Sequence, residues 1–84
     1  MEELKEFVKA GLLQREVAEI VGVSRVTVNR WFKDHTRPHP LINRRLQEVV
    51  EQVRHARIYG KLPLDTSLAR DDRLGRLKEI LQDE

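Results

Sequence analysis

Apolar residues recur along this chain at intervals of three and four, and the intervals break at glycines and prolines. Leu4, Phe7 and Val8 mark one face of a first predicted helix over residues 2–10. Gly11 ends it, and Leu12 and Leu13 are expected to enter the core. Val17, Ile20 and Val21 place a second helix of about two turns over residues 14–21. Gly22 follows, where the left-handed backbone that closes a helix costs a glycine least. Ser24 then stands at an N-cap position, and its hydroxyl can accept from a free amide in the next turn. The third helix, over about residues 25–33, has Val28 and Trp31 on its inner face with Phe32 beside them. Its outer face carries Arg25, Asn29, Arg30 and Lys33. A helix this short is not stable alone in water, so Val28 and Trp31 must anchor it, leaving the polar face free.

Pro38 and Pro40 exclude a regular helix from the stretch Asp34 to Pro40, which is expected to be a loop. A fourth helix should run from Leu41 to about Tyr59, with Ile42, Leu46, Val49, Val53 and Ala56 as a heptad-like stripe that Val50 widens. Gly60 ends it, and Lys61 to Pro63 form a turn. Asp65 or Thr66 is expected to cap a short helical turn holding Leu68. Asp71 or Asp72 is expected to cap a last helix through Leu74, Leu77, Ile80 and Leu81, weakened at Gly75 by about 1 kcal/mol relative to alanine. No segment alternates as a strand or signals a hairpin. The expected fold is therefore all-α: one compact bundle of about five helices, with no wing. Residues 1–61 form its core, and residues 62–84 form a C-terminal helical segment of the same domain. The leucines from Leu62 to Leu81 offer a dimerisation surface or else close the monomer's own core.

Counted from Gln14, the stretch QREVAEIVGVSRVTVNRWFK has the small residue Ala18 four places on and Gly22 four places after that. Val17, Val21, Val23, Val28 and Trp31 occupy its apolar places. This pattern resembles the helix-turn-helix family of DNA-binding proteins, with the second and third helices as the motif. A small side chain at Ala18 lets the two helices cross closely, and Gly22 makes the turn. The all-helical plan, and the Trp31-Phe32 ending followed by an Arg37-Pro38 loop, resemble the small phage repressor and Cro-type regulators. Winged-helix, MerR-type and excisionase folds would need a hairpin that this sequence lacks.

The resemblance implies that the start of the third helix enters the major groove of double-stranded DNA. Carried over by position, the base-reading candidates are Ser24, Arg25, Val26, Asn29, Arg30 and Lys33. Arg25 has a fork that matches the two acceptors on guanine, Asn29 suits adenine, and Val26 suits a thymine methyl or, alternatively, the core. Simple solvation is the alternative for Arg30 and Lys33. Gln14 and Thr27 are placed for phosphate, and Arg37, Arg44 and Arg45 are expected to clamp the backbone.

Charge sharpens this picture. The chain carries only +2 overall. Residues 24–61 hold nine basic and three acidic side chains, net +6, and the flanks 1–23 and 62–84 are each −2. A polyanion would meet a basic middle, while the acidic ends of the C-terminal segment would hold that segment off the DNA. Other chemistry is thin. There is no cysteine. His35 and His39 lie in a proline-bearing loop without a third ligand, so no metal is expected. Ser24 and Ser67 lack His and Asp partners, Asp71-Asp72 reads as a helix start, and no glycine-rich phosphate loop occurs. No enzyme activity, cofactor or small-molecule substrate is expected. The acidic start Met1-Glu2-Glu3 does not read as a signal peptide, no apolar run approaches a membrane span, and the absence of cysteine fits the cytoplasm.

The sequence therefore reads as a DNA-binding transcriptional regulator, a small phage or mobile-element repressor or Cro-like protein. It would act as a homodimer on an inverted repeat, because one short helix reads too few base pairs. The alternatives are a phage terminase small subunit, a transposase-type DNA-targeting module, or a helix pair that binds another protein.

Overall fold

The computed structural model describes residues 2–82. It contains α1 (Leu4–Lys9), α2 (Gln14–Val21), α3 (Arg25–Phe32), α4 (Pro40–Ile58) and α5 (Arg70–Gln82). Among the described residues there is no strand, so α3 leads into a loop and not a wing. Among these residues no helix is long and apolar enough to cross a membrane.

Helix α4 is the spine. Its Leu46, Val49, Val50, Val53 and Ala56 are buried, and α1, α2 and α5 all pack on it. Leu4 and Phe7 of α1, Val17, Ile20 and Val21 of α2, Val28 and Trp31 of α3, and Leu77, Ile80 and Leu81 of α5 join the same apolar cluster. Pro40 occupies the first turn of α4, where its missing N–H costs nothing. His39 is the N-cap residue, its Nδ1 accepting from the Leu41 N–H at 3.2 Å.

Two expectations near the start are corrected. Val8 is 62% exposed, outside the core. The inner face of α1 runs through Leu4, Phe7 and Ala10 and turns Glu6 inward instead. The Glu6 carboxylate is tolerable there because Arg57 reaches it from α4, donating from Nη2 at 2.7 Å and Nε at 3.1 Å. These hydrogen bonds hold Glu6 below its ordinary pKa of 4.5, against the opposing effect of burial. Leu13 is also exposed. It is the extended N-cap residue of α2, and its backbone N–H donates to the Glu16 carboxylate at 2.9 Å.

The C-terminal segment differs most from expectation. Leu62 and Leu64 are buried as the chain passes over the end of α1. Gly11, with φ +70°, sits under this crossing, and a Cβ on it would lie 3.0 Å from the Pro63 Cβ. The expected Asp65 cap is present, on a single turn that the Leu68 N–H closes onto the Asp65 carbonyl at 3.2 Å, with no helix following directly. Asp65 Oδ1 accepts from the Ser67 N–H at 2.9 Å and from its hydroxyl at 2.8 Å. Neither Asp71 nor Asp72 caps α5. The helix begins one residue earlier, at Arg70, which puts both carboxylates in its first turn. That position suits negative charge at a helix start. Leu62, Leu64, Leu77, Ile80 and Leu81 are all buried within the monomer, so these side chains close its own core.

A polar lock fixes α5 to α2. Arg73 donates from Nε to Glu16 Oε2 and from Nη2 to Glu16 Oε1, both at 3.1 Å, and from Nη2 to the Gly11 carbonyl at 3.2 Å. Glu16 is only 2% exposed. Its hydrogen bonds hold the Arg73 guanidinium above its ordinary pKa. Lys78 adds a surface contact to Glu19 at 3.2 Å.

Candidate nucleic-acid interface

The geometry of α3 is set by the turn before it. Gly22 has φ +91°, a left-handed conformation in which a side chain would be strained, and its N–H donates to the Ala18 carbonyl at 2.9 Å. The Val23 N–H reaches the same carbonyl at 3.0 Å. Ala18 is buried, as the close approach of α2 and α3 requires. Ser24 then turns extended, and its Oγ accepts from the Thr27 N–H at 3.1 Å. Val28 and Trp31 are fully or almost fully buried, with Val23 and Phe32 packed at the edge of the same cluster. Burying a ring of this size, with its neighbours, fixes the rotation of α3 about its own axis.

That rotation turns Arg25, Val26, Arg30 and Lys33 outward, all exposed. Val26 is 62% exposed, so it is an apolar knob on a charged face and not a core residue. Eight residues of helix span about 12 Å, close to the width of the major groove. Asn29 and Thr27 are half-buried. Asn29 Nδ2 donates to Gln14 Oε1 at 3.0 Å, joining the start of α2 to the middle of α3. Sequence reasoning placed Gln14 on phosphate and Asn29 on a base, as separate residues. The fold brings them together. Asn29 keeps its carbonyl and one N–H for an adenine edge, and Gln14 keeps its own N–H groups. Ser24 is less available, because its hydroxyl serves the cap and shares a 2.8 Å hydrogen bond with the Thr27 hydroxyl.

The backbone-clamp candidates divide. Arg37 and Arg44 are exposed and form no ion pair with any described residue. Arg45 is partly committed. Its Nη2 donates to the Ile20 carbonyl at 3.2 Å, satisfying an orphan acceptor at the end of α2, and its Nη1 lies 3.7 Å from Glu48. Helix α3 thus stands on an apolar base, with a cationic outer face and a continuation of positive charge at the start of α4.

A helix-turn-helix family model matches residues 1–48, more than half of the chain. The chain belongs to the helix-turn-helix family. It is a DNA-binding protein of the phage repressor and Cro type, with α2 and α3 as its motif. No curated protein and no solved structure matches it. The matched residues take in the three helices that build and brace the motif and the first part of α4. Helix α5 and its Arg73 lock lie beyond them. In this helix-turn-helix protein sequence reasoning passed over two further cations, one within the motif and one beside it. Arg15 follows Gln14 on α2, and Arg70 opens α5; both line one open cavity with Arg25. Arg15 was legible as a neighbour of Gln14. Arg70 was not, because only the tertiary path of residues 62–69 carries it there.

Proposed function

We propose that this helix-turn-helix regulator is a sequence-specific repressor of phage or mobile-element type that binds an inverted-repeat operator as a homodimer. The observation that carries the reading is the outward set Arg25, Val26, Arg30 and Lys33 on a helix whose other face is held by buried Val28 and Trp31. The start of α3 lies in the major groove. Arg25 pairs with guanine O6 and N7, Val26 meets a thymine methyl, and Asn29, oriented by Gln14, pairs with adenine. Arg30 and Lys33 follow the groove wall, Ser24 and Thr27 stay close to the backbone, and Arg37 and Arg44 grip phosphates, with Arg45 sharing its charge between α2 and the DNA. The protein works without catalysis or cofactor, in the cytoplasm. One eight-residue helix touches too few base pairs for useful selectivity, so two copies read two half-sites about one helical turn apart.

Selection of the full chain on a random duplex pool, followed by sequencing, tests this. A palindromic consensus with half-site centres about 10 base pairs apart is expected. No enrichment over input, or a consensus without two-fold symmetry, overturns the repressor-dimer reading. On the selected site Arg25→Ala should cost roughly 1–3 kcal/mol and much less on random duplex; equal losses on both would remove Arg25 from base reading.

A further inference from the structure

Arg15 of α2, Arg25 of α3 and Arg70 of α5 share the walls of one open cavity of about 650 Å³, with Glu16, Glu19 and Asp71 as its only acids. The acids are unequal. Glu16 is consumed by Arg73, and Glu19 is paired with Lys78 at 3.2 Å. Among the described residues none of the three arginines has an ion-pair partner, and Asp71 is the one uncommitted carboxylate. Three unpaired guanidiniums around one opening repel each other, and a single exposed carboxylate does not neutralise them. A backbone phosphodiester adds a second negative charge and two further acceptor oxygens beside them.

The C-terminal segment was expected to stand away from DNA because it is acidic. The fold reverses that for one residue. The Arg73 lock fixes α5 against the start of α2, and Arg70, one turn earlier, is thereby delivered beside the recognition helix. We propose that Arg15, from the first helix of the motif, and Arg70, from α5 outside it, form a phosphate clamp on the DNA backbone next to the point where Arg25 enters the groove. Asp71 opposes this clamp and sets its strength. The proposal rests on the DNA-binding reading above and deepens it by making α5 part of the interface.

The test uses the full chain and fluorescence anisotropy on two labelled duplexes, the selected site and a scrambled sequence, over a salt series. Neutralising one phosphate contributes about 0.9 to the slope of log K against log salt, or about eightfold in affinity at 0.1 M relative to 1 M. Arg70→Ala and Arg15→Ala should each weaken both duplexes by about that factor and flatten the slope by about 0.9. Arg70→Lys should retain most of the affinity, since a phosphate accepts a point charge. Asp71→Asn should tighten both duplexes. Arg76→Ala, which removes an exposed α5 cation paired with Glu79, is the control and should change neither. Unchanged affinity and slope in Arg70→Ala and Arg15→Ala, with the wild-type protein binding normally, overturns the clamp alone. A loss confined to the selected site also overturns it, because a phosphate contact is blind to sequence. A wild-type chain that binds neither duplex overturns the DNA-binding reading itself.

Discussion

Replacing Arg73 by methionine should destabilise this domain more than replacing Arg73 and Glu16 together. Methionine preserves much of the aliphatic stem but removes three hydrogen bonds, two to Glu16 and one to the Gly11 carbonyl. Glu16 is left as a carboxylate, 2% exposed, with only the Leu13 N–H at 2.9 Å. Breaking one side of a buried pair costs about 3–5 kcal/mol, most of it from the charge left behind. The Arg73 side chain is 14% exposed, so some water reaches the pair and the low end, about 3 kcal/mol, is expected. In a domain of this size that is a large part of a total stability on the order of 4–12 kcal/mol. It corresponds to a fall in Tm of roughly 12–24 °C. Arg73→Met with Glu16→Gln removes the stranded charge, and glutamine can still accept from the Leu13 N–H. The double variant should therefore recover at least about 1 kcal/mol relative to Arg73→Met.

Urea titrations of the wild type, both single variants and the double variant close the cycle, with the slope m checked for constancy. If Arg73→Met lies within about 0.5 kcal/mol of wild type, the pair is not what holds α5 on α2. Costs that simply add in the double variant would show that the two side chains act independently, and the lock would then be a coincidence of geometry.

Three further outcomes follow from the packing. Trp31→Ala should cost about 3–5 kcal/mol by urea titration, because the ring is 2% exposed and α3 has only Val28 as a second buried anchor. A variant as stable as wild type would place the ring's packing outside the energetics of the fold. Gly22→Ala should cost about 1–2 kcal/mol, from backbone strain alone, since φ is +91° and nothing lies within 4 Å of the added Cβ; a neutral result would mean the turn relaxes. Glu6, held below its ordinary pKa chiefly by Arg57, contributes stability that is present above pH 4.5 and is lost as pH falls through its lower folded value. Glu6→Gln should therefore flatten the acid limb of stability against pH below 4.5, and an unchanged limb would remove Glu6 from the acid response.

The motif was legible in the sequence because its constraints are local. Gly22 must turn, Ser24 must cap, and Val28 and Trp31 must share a face; each rule spans at most one or two helical turns. The α4 stripe was legible for the same reason. The failures are tertiary. Val8 satisfied helical spacing as well as Glu6 did, and nothing local says that Arg57, fifty-one positions on, makes a buried carboxylate at Glu6 acceptable. Leu13 looked apolar and internal, yet its backbone was needed to start α2.

The C-terminal segment shows the same principle with a consequence for DNA binding. Summed charge assigned residues 62–84 to the side away from a polyanion. Charge acts through position, however, and a chain of net −2 can still present a cation where it counts. Two of the segment's basic residues, Arg73 and Lys78, are spent on acids of α2. That spending is what removes Glu16 and Glu19 from the field around Arg25. The segment therefore alters the interface both by what Arg70 adds and by which carboxylates its neighbours silence. A tally of residues along the chain contains neither effect, because both depend on the fold bringing Gly11 and Glu16 within reach of one arginine.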